Sequence, residues 1–305
     1  MAITLQEPLR ALFYAPFYAA SLLGAWEEEG IEVLMVSAPN PSLAPNALFH
    51  GTVDVAWGGP MRVNQMYDQR AGCDLVCFAE AVTRDPFMLV GRTTRPNFRL
   101  PVLLAMQLAT ISEVPTPWLC LQEDLRRVRV DPDAMARIGD QTMAENVAAF
   151  QRGEIDVVQL PQPHAEELIA SGAGHLWYAA ANRGPCSYTS FYARHSLIDA
   201  KRAEVLALVR GLYRTQKWLH RVRPETIVEV VEPYFPRAPR PLLHAAIVRY
   251  QKLGVWGKDP ILPREGYERL KAGLVSGGFA KGTPFETAVD NSLAEEVVRE
   301  DPPTM

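Results

Sequence analysis

Residues 47–60 read ALFHGTVDVAWGGP, and residues 149–163 read AFQRGEIDVVQLPQP. In each copy an apolar helix end runs to a glycine (Gly51, Gly153). A β-branched pair then straddles an aspartate (Val53-Asp54-Val55, Ile155-Asp156-Val157), and a proline-containing turn opens the next helix. Glycine just past a helix end takes the left-handed conformation that stops it, and proline at a first helical position needs no amide partner. The pattern therefore predicts helix, short buried strand, turn, helix, twice over. Residues that follow such a strand emerge at its carboxyl end, where open α/β sheets hold ligands. Two copies about a hundred residues apart predict two lobes facing one cleft. The alternative is an ordinary helix-to-strand connection repeated within one large α/β domain.

Working outward, Leu9 to Tyr14 reads as a buried first strand, and Pro16 starts a helix with Phe17, Ala20, Leu23 and Trp26 on one face and Gly30 as its stop. IEVLMVSA is a second strand, and Ser42 or Asn46 can cap the helix leading to Gly51. A helix follows Pro60, then CDLVCFAEAV as a strand and DPFMLVGR as an extended segment. Such strand-helix-strand units imply a mainly parallel sheet. TTRPNFRLP marks a lobe boundary. Beyond it LLAMQLATI reads as a strand, Thr116 as an N-cap with Pro117 at the first helical position, MARIG as a short strand and Asp140 as the next cap. HAEELIASGAG is a helix and HLWYAAA a strand, and SYTSFYARH alternates like an extended segment returning to the first lobe. From Leu197 the chain is helical and punctuated by prolines, and the polar tail after Val289 reads as a short helix that frays.

A chain of 305 residues with 48% apolar and 22% charged residues buries a large core, and its length favours two domains or lobes. A net charge of −4 and the lack of any basic run argue against nucleic acid as a partner. No apolar run approaches the ~20 residues of a membrane span. Cys73, Cys77, Cys120 and Cys186 make no zinc-type spacing and read as reduced, buried thiols. Cytoplasmic localisation follows if Met1 is the native start, and periplasmic localisation if a signal segment has been removed.

The order of LFYAPFYAASLLGAWEEEGIEV, ALFHGTVDVAWGGP, DPFMLVGR and GEIDVVQLPQPHAEELIASG resembles the solute-binding proteins of ABC importers for nitrate, sulfonates, taurine and thiamine precursors, including hydroxymethylpyrimidine-synthase-like proteins. The resemblance covers about residues 9 to 285. It implies an α/β, type II periplasmic-binding-protein fold with two lobes, a hinge of two crossing segments and a central cleft. Lobe I is then 1–90 with the return segment and C-terminal helices at 192–305, and lobe II is 91–191. It further implies a monomer that binds one small-molecule ligand and delivers it to an ABC permease. One departure is PVLLAMQLATISEVPTPW at 101–118, where the family usually carries glycines.

On that template Phe13, Tyr14 and Phe17 line the cleft from the first loop, with Trp57, Gly58, Gly59 and Met61 from the first turn. Ser112, Glu113, Thr116 and Trp118 face them, with Gln159 and Gln162 from the second turn and Tyr188 from the returning segment. Aromatic faces beside a few fixed polar groups suit a flat organic ligand, aromatic or heterocyclic and pyrimidine-like. Each ring taken singly also reads as core. Glu113, and less directly Glu80 and Asp85, would accept hydrogen bonds from an amino-heterocycle; Glu113 equally reads as a carboxylate favoured by the helix dipole. For a sulfonate or other small anion the counterparts would be Arg62, Arg84 and Arg183, with Ser112 and Thr116 as donors; all three arginines equally read as solvated surface.

Catalysis has less support. The six histidines form no metal-spaced pair, and neither a nucleophile elbow nor a P-loop is present. Pyridoxal phosphate, which the resemblance to pyrimidine synthases would bring, is not expected: the first lysine is Lys201, the first loop has no histidine, and the cysteines are dispersed. No cofactor is expected. A cytosolic enzyme or ligand sensor on the same fold is the competing expectation.

Overall fold

The computed structural model describes residues 2–305. In chain order, β1 is Ala2–Glu7, α1 Ala15–Leu22, α2 Ala25–Glu28, β2 Glu32–Ser37, α3 Ala44–Phe49, β3 Val55–Gly58, α4 Pro60–Gln69 and β4 Leu75–Val82. The chain then crosses to β5 Met88–Gly91, β6 Leu108–Ile111, α5 Thr116–Arg127, β7 Arg137–Gln141, α6 Met143–Arg152, β8 Val157–Leu160, α7 His164–Ala170 and β9 His175–Ala179. It returns in β10 Thr189–Arg194 and ends in α8 His195–Ala200, α9 Arg202–Leu219, α10 Pro224–Val231, α11 Arg240–Leu253, α12 Arg264–Ser276, α13 Phe285–Ala288 and α14 Ser292–Glu300.

These strands make two five-stranded sheets of one topology, β2-β1-β3-β10-β4 and β7-β6-β8-β5-β9. In each, three strands run parallel and the fourth, a strand that has crossed from the other half of the chain, is antiparallel to both neighbours. The two quoted segments supply β3 and β8, the middle strand of each sheet. Gly51 (φ 67°) and Gly153 (φ 92°) are both left-handed, as their place after a helix requires. The aspartates also do one job in both copies. Asp54 Oδ2 accepts from Thr4 N within β1 at 2.9 Å and Asp156 Oδ2 accepts from Gln107 N just before β6 at 2.9 Å, and each tacks the start of the middle strand to its parallel neighbour.

Several local expectations are corrected. Leu9 to Tyr14 is no strand: β1 ends at Glu7 before Pro8, and residues 12–14 form a 3-10 turn from which Phe13 and Tyr14 line the cleft. The helix expected from Pro16 to Gly30 is two helices, because left-handed Gly24 (φ 70°) redirects the chain. Trp26 then lies against α9, where a Cβ on Gly211 would stand 2.5 Å from its ring. Of LLAMQLATI only Leu108–Ile111 is strand, with Leu100–Ala105 a 3-10 helix before it. Neither Ser42 nor Asn46 caps α3; the local side-chain bond is donated by Ser42 N to Asn40 Oδ1. Thr116 is the first residue of α5, with Pro115 at the cap. Asp140 lies on β7, and α6 is capped by Thr142 in a capping box with Glu145, the T-x-x-E signature. The tail forms the expected short helix and is packed on the rest of the fold. Leu293, Ala294 and Val297 are buried, Arg210 holds Glu300 at 2.7 Å, and Arg214 donates to Pro303 O at 3.0 Å.

Both flanks of the cleft carry contacts from one sheet's helices to the other's. On one, Arg249 of α11 pairs with Glu166 of α7 at 2.7 and 3.0 Å. Beside it Tyr250 Oη accepts from Gln162 N at 2.8 Å and donates to Pro86 O at 3.3 Å. On the other flank α5 packs on α12 so closely that a Cβ on Gly273 would stand 3.1 Å from Leu119 O. Among the described residues no helix is long and apolar enough to cross a membrane.

Candidate functional site

Between the carboxyl ends of β1 and β3, the returning β10 and the start of α5 lies a small cavity of about 30 Å³. Phe13, Tyr14, Trp57, Gly58, Gly59, Met61, Thr116 and Tyr188 line it together with Arg62, so nine residues named from the sequence meet around one space. Leu9, Val114 and Tyr192 line it as well. Phe17 lies just beneath, stacked on Trp57 at 4.6 Å between ring centroids and 11° between planes. Tyr14 meets Trp57 edge-on at 5.8 Å, and Phe13 meets Tyr188 edge-on at 6.1 Å. Gly59 admits this packing: a Cβ there would come within 3.1 Å of Tyr188 O.

Polar atoms in and beside this aromatic box lack partners. Trp57 Nε1, Tyr188 Oη, Thr189 Oγ1 and Ser190 Oγ are buried without a hydrogen bond, although buried polar groups are normally satisfied. Arg62 is more telling. It is 7% exposed, its guanidinium bonds Gln65 Oε1 at 3.0 Å, and among the described residues no carboxylate lies within ion-pair distance of it. Burial lowers its pKa, while the neighbouring Tyr192 and Tyr14 act the other way. An arginine stays charged under such a shift, so the cavity holds a cation with no counter-ion. The Tyr14 and Tyr192 phenols are raised above their ordinary range, chiefly by burial, and stay neutral donors.

The other named residues lie elsewhere or are engaged. Glu113 Oε1 accepts from Met143 N at 2.9 Å at the start of α6. Ser112 is exposed. Trp118 lies on the far side of α5, under Arg137 at 4.8 Å. Gln159 donates to Pro117 O at 2.9 Å. Gln162 is knit into the flank contacts, donating to Glu166 Oε2 at 3.1 Å and accepting from Glu166 N at 2.9 Å. Glu80 is fully buried on β4 opposite Ser190, at the hinge, and burial pushes its carboxyl up to about 8 against the help of the Ser187 and Thr83 hydroxyls. Arg183 is held by Asp85 at 2.6 Å and by Asp124; Arg84, half-buried, reaches Leu253 O at 3.4 Å and does not line the cavity.

The candidate set missed Tyr192, Thr189 and Ser190. The signal was present in SYTSFY, where period-two alternation puts positions 188, 190 and 192 on one face of a strand. A second, larger space lies across the first loop. Arg10 and Ala11 face it while Pro8, Leu9, Phe13 and Tyr14 face the small cavity, and its volume is about 1050 Å³.

Residues 100–233 match the model of the NMT1-like family. Over 301 residues, 98% of this chain and 90% of the relative, the sequence is 24% identical to the putative binding protein YtlA of Bacillus subtilis (strain 168). The fold is shared with the periplasmic aliphatic sulphonate-binding protein SsuA from Escherichia coli, at a TM-score of 0.73 and 16% identity over 91% of this chain and 92% of that one. It is equally shared with the desulfurization enzyme DSZB, at a TM-score of 0.68 and 13% identity over 99% of each chain. The resemblance read from the sequence is thus borne out: the chain carries an NMT1-like segment at residues 100–233 within the two-lobe fold of the solute-binding proteins of ABC importers.

Proposed function

We propose that this protein is the solute-binding component of an ABC-type importer and that its lobes hold a small organic anion against Arg62. The observation that carries this reading is the buried guanidinium without a carboxylate partner, facing a cavity edged by the unpaired Trp57 Nε1 and Tyr188 Oη. A buried charge is tolerated when something pairs with it, and a sulfonate or carboxylate would supply both the counter-charge and the acceptors. The relatives named for binding or sulphonate binding support the same class. The aromatic lining admits an anion with a flat body, the heterocyclic solute expected from the sequence being one such shape. Because about 30 Å³ holds little more than a water, the lobes part to admit it and close again around it.

An enzyme on this fold, as DSZB is, draws less support from the residues. The first loop has no cysteine, burial pushes the Cys77 thiol up to about 12, and contact with Cys186 together with burial raises Cys120. Thiols held protonated in this way are poor nucleophiles.

The test is a thermal-shift and calorimetric screen of nitrate, methanesulfonate, benzoate and uncharged cytosine against wild type and Arg62→Met. An anion that binds only the native state raises the melting point; the expected result is stabilisation by at least one anion in wild type and none in the variant. Stabilisation by cytosine alone, or by no compound of the set, would overturn the reading.

A further inference from the structure

We propose that the groove across the first loop is a second binding site, shaped for an elongated amphiphilic organic anion with an aromatic or branched apolar body. Its volume of about 1050 Å³ suits a drug-sized organic molecule, and no such molecule fits the cavity at Arg62. Both halves of the molecule build it: Met143, Pro161 and Pro163 form one wall, and Tyr234, Pro239 and Leu242 the other. Prolines present apolar surface with no amide to desolvate and no side-chain freedom to lose on contact.

Charge fixes the polarity of the occupant. Helix α11 begins at the groove, runs 14 residues and has no acidic residue in its first turn, so its positive end is uncompensated. Arg237, three residues before that helix, lines the same wall and is exposed, with no carboxylate within ion-pair distance among the described residues. Arg240 beside it is taken by Glu229 at 3.0 Å and Glu232 at 3.8 Å, and Arg10 by Glu7 at 2.8 Å. On the facing wall Glu167 lies 3.9 Å from His164. A carboxylate or sulfonate therefore sits toward Arg237 and the start of α11, with its body along the prolines. This site is distinct from that of the anion at Arg62, since the first loop presents different residues to each.

The experiment titrates the full chain with 1-anilinonaphthalene-8-sulfonate, whose emission rises in apolar surroundings, alongside the uncharged N-phenyl-1-naphthylamine. The expected result is saturable binding of one dye per chain. Filling the groove from either wall, with Ala245→Trp or Ala170→Trp, weakens it by roughly tenfold or more, in variants whose unfolding midpoints match wild type. Arg237→Gln weakens the sulfonate by about fivefold, the scale of an exposed ion pair, and leaves the uncharged dye unchanged. Arg62→Met leaves dye affinity intact while abolishing methanesulfonate binding, so failure at one site is distinguishable from failure at the other. Non-saturable or multiple dye binding, indifference to both tryptophan variants, or loss of dye binding in Arg62→Met would overturn the proposal.

Discussion

The turns after β3 and β8 hold the same place in two sheets of the same topology, yet their polar groups are treated in opposite ways. After β8, Gln162 has its amide and both ends of its side chain satisfied by Tyr250 and Glu166, and Glu166 is in turn held by Arg249. After β3, Trp57 Nε1 has no partner and Arg62 has no counter-charge. One fold motif thus yields a finished contact between lobes in one copy and an unfinished polar cavity in the other. Unfinished buried polarity costs stability; Gln159 Oε1 is unpaired on the second side as well, so what sets the first side apart is the buried charge of Arg62 without a counter-ion, and that favours a functional explanation for it. The turn after β8 ties the two halves together through Gln162 and Glu166, and the turn after β3 carries the charge for which an anion is proposed.

That contrast generates graded expectations. Arg249→Ala strands the buried Glu166 carboxylate and lowers stability by about 3 kcal/mol, the range for breaking a buried pair from one side. Glu166→Gln, which keeps hydrogen bonding to Gln162, costs less; denaturant unfolding measures both, and equal losses would refute a charge-based account of that flank. Glu80→Gln acts through pH. A carboxyl raised from its ordinary 4.5 to about 8 in the folded state contributes stability that is whole below about pH 4.5 and is lost as pH rises through about 8. The variant therefore flattens the decline of wild type between those values and is the more stable protein at pH 8, by roughly 1–3 kcal/mol. A wild-type profile already flat across that window would contradict a neutral Glu80. Thr142→Ala removes one half of the capping box of α6 and costs about 1 kcal/mol, while Asp140→Ala changes stability by less than about 0.5 kcal/mol; the reverse order would restore Asp140 as the cap.

Much of this architecture could be read from the chain because the decisive residues act locally. Gly153 stops a helix through its own local conformation, apolar runs marked β2 and β4, and alternation marked β10. What sequence could not show depended on distant partners. Leu9 to Tyr14 looks like a strand because it is apolar, but its burial comes from Trp57 and Tyr188, which only the fold brings near. The aromatic members of the cleft were legible from their places at strand ends. Glu113, at a helix start, and Gln162, after a strand, have protein partners in Met143 N and Glu166. Arg62 could not be singled out from Arg84 or Arg183 until the structure gave Arg183 two carboxylates, left Arg84 half-buried on backbone carbonyls, and buried Arg62 beside the cavity with Gln65 Oε1 as its side-chain partner.

Isothermal titration of methanesulfonate into wild type and Arg62→Met, with denaturant unfolding of the same two proteins without ligand, probes this asymmetry most directly. The expected outcome is a one-to-one complex in wild type, at least a tenfold weaker one in the variant, and a variant no less stable than wild type, because methionine removes an unpaired buried cation. Equal affinity in the two proteins, or a variant destabilised as severely as Arg249→Ala, would mean that Arg62 is a structural residue and that the cavity beside Trp57 awaits no anion.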